Sequence, residues 1–178
     1  MSDLKETFIS GEDVYRGWLL HLRRDVVRLP DGREGVREYI RHPGAVMIVP
    51  LLEGGRVLLE RQFRYPHQRE FIELPAGKLE PGEPPLETAK RELLEETGYV
   101  AAEWRRLCVL HTAIAYTNEA IELWLARGLA KRERKLDAGE FLEVFDLPLQ
   151  DAIRKVREGE ITDAKTVAGL LWMASFEK

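Results

Sequence analysis

Residues 77–99 read GKLEPGEPPLETAKRELLEETGY. The informative points are Gly77, Glu83, the run Arg91-Glu92-Leu93, the pair Glu95-Glu96 and the pair Gly98-Tyr99. Pro84 and Pro85 suit the first turn of a helix, where a missing N–H costs little. Leu86, Ala89, Leu93 and Leu94 recur at helical spacing. Gly98 fits the stop position after the last turn. The spacing therefore predicts a helix over residues 84–97, about four turns long.

On that helix Glu92 and Glu96 share a face, with Glu95 at its edge. Like charges so placed destabilise a helix by roughly 0.2–0.5 kcal/mol per pair. The C-terminal half of a helix also disfavours anions. A bound divalent cation would resolve this conflict. Three carboxylates with no Cys or His nearby suit a hard, oxygen-seeking ion, Mg²⁺ first and Mn²⁺ second. The competing reading is a solvated acidic face, the usual fate of charge blocks. The glycine loop and the complete spacing weigh against it. Arg91 lies four residues from both Glu87 and Glu95 and is expected to pair with them, with Glu83 as a further partner.

The chain has 178 residues, room for one domain and a small addition. Hydrophobic content of 44% and charged content of 33% fit a globular protein. The net charge of −4 argues against nucleic-acid binding through a basic surface. Cys108 is the single cysteine, which excludes an intrachain disulfide and suits a small core residue. The longest apolar run, residues 45–52, is too short to span a membrane. The opening MSDLKETF has no leader pattern, and a cytoplasmic location is the expectation. The mixed-charge run at 131–135 (KRERK) reads as a solvated loop.

Along the chain, residues 18–28 read as a strand, Pro30-Asp31-Gly32 as a turn and 36–41 as the returning strand. This is a β subdomain over 1–41, too small to bury a core alone. The second domain, 42–178, opens with a buried strand at 45–52, a turn at Glu53-Gly54-Gly55 and a strand at 56–64. Strands follow the helix near 104–111, 121–126 and 141–146. A helix is expected over 147–158, with Leu149, Ile153 and Val156 inward. A last helix is expected to be capped by Thr162 or Asp163 and to carry Val167, Leu170, Leu171 and Ala174. Mixed strands and a few helices suggest a sheet flanked by helices.

The segment 77–99 has the full spacing of the Nudix box, and residues 14–172 resemble the ADP-ribose pyrophosphatase branch of that family. Arg61-Gln62-Phe63-Arg64 resembles the branch's R-Q-aromatic-R strand end, and Glu73-Leu74-Pro75-Ala76-Gly77 its E-hydrophobic-P-A-G approach to the box. Residues 113–119 (AIAYTNE) occupy the place of its S-P-G-x-x-x-E segment, and 137–144 (DAGEFLEV) resemble its acidic loop and following strand. The resemblance implies an α+β fold, an α/β/α sandwich on a mixed β-sheet. It also implies a homodimer in which the N-terminal β subdomain packs on, or exchanges with, a partner and contributes to binding the base.

The same resemblance implies residue roles. Glu92, Glu95 and Glu96 would hold metal, joined by the carbonyl of Ala76. Glu140 would activate water, with Glu143 as a nearby rival. Arg61 and Arg64 would grip diphosphate oxygens bidentately, against the alternative of ordinary surface ion pairs. Glu119 would face the terminal ribose. Trp18 and Tyr116, with Tyr15 and Tyr39, are candidate platforms for the base, though single aromatics more often serve cores. One departure bears on substrate: Ile114-Ala115 stand where the branch has its proline. They would line an altered pocket.

The implied reaction is Mg²⁺-dependent hydrolysis of ADP-ribose to AMP and ribose 5-phosphate. The alternative is hydrolysis of GDP-mannose, UDP-glucose or several nucleoside diphosphate derivatives. A catalytically silent ADP-ribose sensor would bring a DNA-binding domain, for which the length leaves no room, and the intact box glutamates speak against it. A hydrolase of damaged nucleoside triphosphates fits the N-terminal subdomain less well.

Overall fold

The computed structural model describes residues 3–136, 139 and 141–177. The chain divides into two compact units, Met1–Gly44 with His111–Ala120, and Ala45–Leu110 with Ile121–Lys178.

The first unit is an antiparallel sheet of three strands in the order β1 (Thr7–Arg16), β2 (His21–Arg28) and β3 (Glu34–Ile40). The strand expected over 18–28 starts three residues later, because Gly17 N–H bonds the Leu20 carbonyl at 2.9 Å in a turn from β1. The foreseen turn at Pro30-Asp31-Gly32 forms, with Gly32 at φ +85°. Asp25 on β2 is 8% exposed and takes hydrogen bonds from Arg23 (2.8 Å) and the Tyr39 hydroxyl (2.9 Å). Its register partner is Gly11, where a Cβ would stand 2.0 Å from Asp25 Oδ1. The segment 111–120 lies against β3: Ile40 N–H bonds the Tyr116 carbonyl at 2.7 Å.

The second unit holds a mixed sheet whose main path runs β10 (Leu142–Pro148), β5 (Arg56–Arg64), β4 (Ala45–Leu52), β9 (Ala120–Lys131) and β8 (Tyr99–His111). β4 runs parallel to β9, and β5 antiparallel to β10. β4 and β5 pair only at the base of their hairpin, through Leu51↔Val57 and Leu52↔Arg56. Beyond it β6 (Arg69–Glu73) pairs with β5, and β7 (Ala76–Lys78) with β4. The chain crosses from one to the other through Leu74-Pro75.

β4 is an unbroken apolar run because both its faces are covered. Ala45, Met47 and Val49 point into one cluster with Leu123, Leu125, Ala152, Ile161, Leu170 and Met173. Val46 and Ile48 point into the other, with Ala89 and Leu93. The first cluster lies under α2 (Leu149–Glu158) and α3 (Ala164–Phe176), the second under α1 (Pro85–Thr97). The expected α/β/α sandwich is thus present. Leu149, Ile153 and Val156 pack inward as expected.

The face of α3 differs from expectation. Leu170 is buried, but Leu171 is 44% exposed and Ala174 points outward, while Thr166 and Met173 are buried. Thr166 goes inside because its hydroxyl accepts the Leu74 N–H at 2.8 Å. Apolar periodicity does not register a polar residue satisfied in this way. Of the two expected caps it is Asp163 that closes α3, accepting the Thr166 N–H at 3.0 Å.

Candidate active site

α1 begins after Pro84 and ends at Gly98, which takes the left-handed conformation at φ +72° and donates to the Leu94 carbonyl. Leu93 and Ala89 bury one side of the helix. That burial turns Glu92 and Glu96 toward the segment that precedes the helix, while Glu95 meets Arg91 on the helix itself. Glu96 is only 5% exposed and accepts the Ala76 N–H at 3.1 Å. Glu92 lies directly on Gly77, where a Cβ would meet its Oε1 at 1.8 Å. This glycine serves close approach rather than an unusual backbone angle.

Arg91 organises the box. It bonds Glu83 through Nε and Nη2, each at 3.1 Å, and Glu92 and Glu95 through Nη1 at 2.9 and 3.0 Å. Glu87, an expected partner, instead pairs with Lys90 at 2.8 Å, three residues on and in solvent. Glu83 also accepts the Thr88 hydroxyl at 2.8 Å. The Arg91 bonds, with help from Thr88, hold the Glu83 carboxyl below its ordinary range, and Glu83 is the chief reason the Arg91 guanidinium is bound more firmly to its proton. One guanidinium thus offsets part of the repulsion among the box carboxylates and ties the loop to the helix.

The donor set is oxygen only, and its chemistry suits a hard divalent ion. Among the described residues no group of three or more His, Cys, Asp or Glu side chains is already arranged to hold a metal ion. Arg91 holds Glu92 and Glu95, and the backbone of Ala76 holds Glu96.

Arg61 and Arg64 of β5 have different settings. Arg64 forks onto Glu73, Nε to Oε1 at 2.7 Å and Nη2 to Oε2 at 2.9 Å. Glu73 is 4% exposed, and Lys165 Nζ reaches the same carboxylate. Burial alone would raise the Glu73 carboxyl, but the Arg64 hydrogen bonds and Lys165 outweigh it and hold it below the usual range. Arg64 is held protonated mainly by Glu73, with a smaller field from Glu96. Arg61 is more exposed and pairs with Glu143, and at 3.6 Å with Glu70. Glu143 is thereby engaged in an ion pair on the exposed side of β10.

Glu119 lies in the first unit, accepting the Thr112 hydroxyl at 2.6 Å, with His42 Nε2 at 3.5 Å. The Gly44 N–H donates to His42 Nδ1 at 3.1 Å, so the ring proton of neutral His42 belongs on Nε2, facing Glu119. Ile114, Tyr116 and Trp18 are exposed at 82%, 71% and 100%. Tyr39 is committed to Asp25. Glu140 lies outside the described residues. The sequence did not single out Lys165 or Asp163 as part of this network, nor Glu73 as more than part of a motif. They meet Arg64 only because β6 pairs with β5 and α3 packs behind.

A profile described as the NUDIX domain matches residues 41–170, and one described as the nucleoside diphosphate sugar hydrolase N-terminal domain matches residues 6–40. The chain belongs to the Nudix hydrolase family. It is 38% identical over 175 residues to the ADP-ribose pyrophosphatase of Bacillus subtilis (strain 168), covering 97% of this chain and 95% of that one. It is 37% identical over 171 residues to the methanol dehydrogenase activator of Bacillus methanolicus, covering 95% and 92%. A crystal structure of an ADP compounds hydrolase superposes with a TM-score of 0.85 at 26% identity, covering 97% of this chain and 96% of that one. Enzymes of the family depend on divalent metal, and the substrate class is a nucleotide-derived small molecule. Among the described residues no helix is long and apolar enough to cross a membrane.

Proposed function

We propose that this enzyme hydrolyses ADP-ribose to AMP and ribose 5-phosphate with Mg²⁺ as its metal. The full-length similarity to an ADP-ribose pyrophosphatase, across both the N-terminal segment and the NUDIX segment, carries the substrate reading. The acidic face of α1 folded onto Gly77 carries the chemistry.

Glu92, Glu95 and Glu96, with the carbonyl of Ala76, would hold the metal. When bound, Mg²⁺ would neutralise charge developing on the diphosphate and favour ionisation of the attacking water. Glu140 takes the proton of that water. Arg64, and Arg61 once released from Glu143, bind non-reacting phosphate oxygens by their forks. Glu119 accepts hydrogen bonds from the terminal ribose. Trp18 and Tyr116 are the candidate platforms for the base, both being exposed. Water and the diphosphate supply all atoms of the two products, and neither electrons nor a second substrate are needed.

The enzyme works as a homodimer in the cytoplasm. The dimer is supported by β1, an edge strand whose ten residues are all exposed, Phe8, Ile9, Val14 and Tyr15 among them, and which calls for a cover. A second copy of the chain is its occupant. Sedimentation as a monomer at micromolar concentration would remove this part of the reading.

The test is product analysis of the wild-type enzyme with ADP-ribose and Mg²⁺: equal amounts of AMP and ribose 5-phosphate support the reading, and intact ADP-ribose sinks it. The second reading, hydrolysis of GDP-mannose or UDP-glucose, is favoured by one observation. Ile114 replaces the branch's proline and is fully available to a ligand.

A further inference from the structure

We propose that Lys165, in the first turn of α3, is a positioning residue for diphosphate binding, acting through Glu73 on Arg64. The inference rests on the reading that Arg64 meets the diphosphate.

A guanidinium has two hydrogen-bonding forks, Nε with one Nη and the pair Nη1–Nη2. Arg64 gives its Nε–Nη2 fork to Glu73. The Nη1–Nη2 edge is then the one left to meet an incoming anion. The two ends of this pair have unlike surroundings: the Glu73 side chain is 6% exposed and that of Arg64 44%. The carboxylate is the buried anchor and the arginine the reaching arm.

A lone buried carboxylate would hold Arg64 in place but would also spend its charge. Lys165 changes that balance. Its Nζ bonds Glu73 Oε2 and, at 2.9 Å, Asp163 Oδ2. Arg64, Glu73, Lys165 and Asp163 together form a neutral set of two cations and two anions. Because Lys165 already offsets much of the Glu73 charge, Arg64 keeps a positive field for phosphate while Glu73 still fixes its direction.

The lysine is held by a rigid support. Asp163 caps α3 through the Thr166 N–H, and the Thr166 hydroxyl accepts the Leu74 N–H. Leu74 follows Glu73 directly, and the chain then reaches Ala76, whose N–H bonds Glu96. The start of α3 is thereby fastened to the segment that carries both Glu73 and the loop of the acidic helix. With its side chain 17% exposed and bonded to two carboxylates, Lys165 is set in place by the fold itself.

The test is a double-mutant cycle of Lys165→Met and Arg64→Met, reading KM and kcat with ADP-ribose, or with GDP-mannose should the wild type turn over only that. ADP-ribose affinity in EDTA, by calorimetry, is read in parallel. Lys165→Met should raise KM about tenfold with kcat changed less than about threefold, and weaken binding in EDTA to match. Lys165→Arg should restore most of the loss. In the Arg64→Met background Lys165→Met should do nothing further. A purely structural ion pair would lower the melting temperature and leave KM alone, which overturns the proposal. Equal effects with and without Arg64 overturn it too. If Arg64→Met itself leaves KM unchanged, the phosphate role of Arg64 fails, and the proposal with it. If only Lys165→Met is silent, the proposal fails alone. Should Lys165→Met not fold, Lys165→Gln keeps a donor to Glu73 without the charge, and a KM equal to wild type there is the contrary result.

Discussion

The Glu92 carboxylate rests on the bare backbone of Gly77, so closely that a Cβ at residue 77 would lie 1.8 Å from Oε1 and 1.9 Å from Cδ. Any side chain at 77 must push Glu92 off its seat. Gly77→Ala should therefore cost more than about a hundredfold in kcat/KM, through misplacement of a carboxylate proposed to hold metal, while the melting temperature moves little. Calorimetric titration with Mg²⁺ checks the cause: metal affinity should fall in step with activity.

Glu96 is nearly buried at the end of α1, where its carboxylate accepts the Ala76 N–H. Glu96→Gln keeps a carbonyl acceptor for that bond and removes the charge. The variant should fold as the wild type does, by circular dichroism, and lose metal-dependent turnover. Activity near wild type would refute the metal role of this residue.

Arg91 joins Glu83, Glu92 and Glu95, and its side chain is 26% exposed. Arg91→Met leaves these carboxylates facing one another, with an expected loss of about 2 kcal/mol in urea unfolding. Glu87→Ala removes only an exposed pair with Lys90 and should change stability by less than about 0.5 kcal/mol. Comparable losses from the two variants would contradict the clamp.

The Glu73 carboxyl is held below its unfolded value of 4.5 by Arg64 and Lys165 against the cost of burial. A lowered folded pKa means that the stabilisation is complete above the unfolded pKa and fades as pH falls through the folded one. The stability gap between wild type and Glu73→Gln should be full at pH 6 and shrink steadily below about pH 4.5. A gap that stays constant down to pH 3 would place the effect of Glu73 in packing rather than charge.

Glu140→Gln tests the assigned base. A loss of more than about tenfold in kcat is expected, since positioned proton transfer contributes at least that much. A smaller loss would give the task to another group.

Much of this architecture was legible because the signals were local. The acidic helix, its proline start and its glycine stop lie within one short segment, and the unbroken apolar run of β4 reports cover on both faces. β1 escaped notice because all ten of its residues are exposed and their mixed character follows no period of two. The face of α3 was misread because Thr166 is buried through a hydrogen bond to Leu74, a partner 92 residues distant. Distance in the chain also hid the setting of Arg64. Its fork to Glu73 depends on the pairing of β5 with β6, and the lysine behind Glu73 on the packing of α3. The alternatives of phosphate ligand and ion pair, open for Arg64 in the sequence, are compatible once its two forks are told apart.

The most direct measurement is the ratio of kcat/KM for ADP-ribose to that for GDP-mannose and UDP-glucose, with Mg²⁺ as the metal. A ratio well above ten in favour of ADP-ribose, abolished in Glu96→Gln, is the predicted result. Equal or inverted preference, or turnover that survives chelation of the metal, would contradict it.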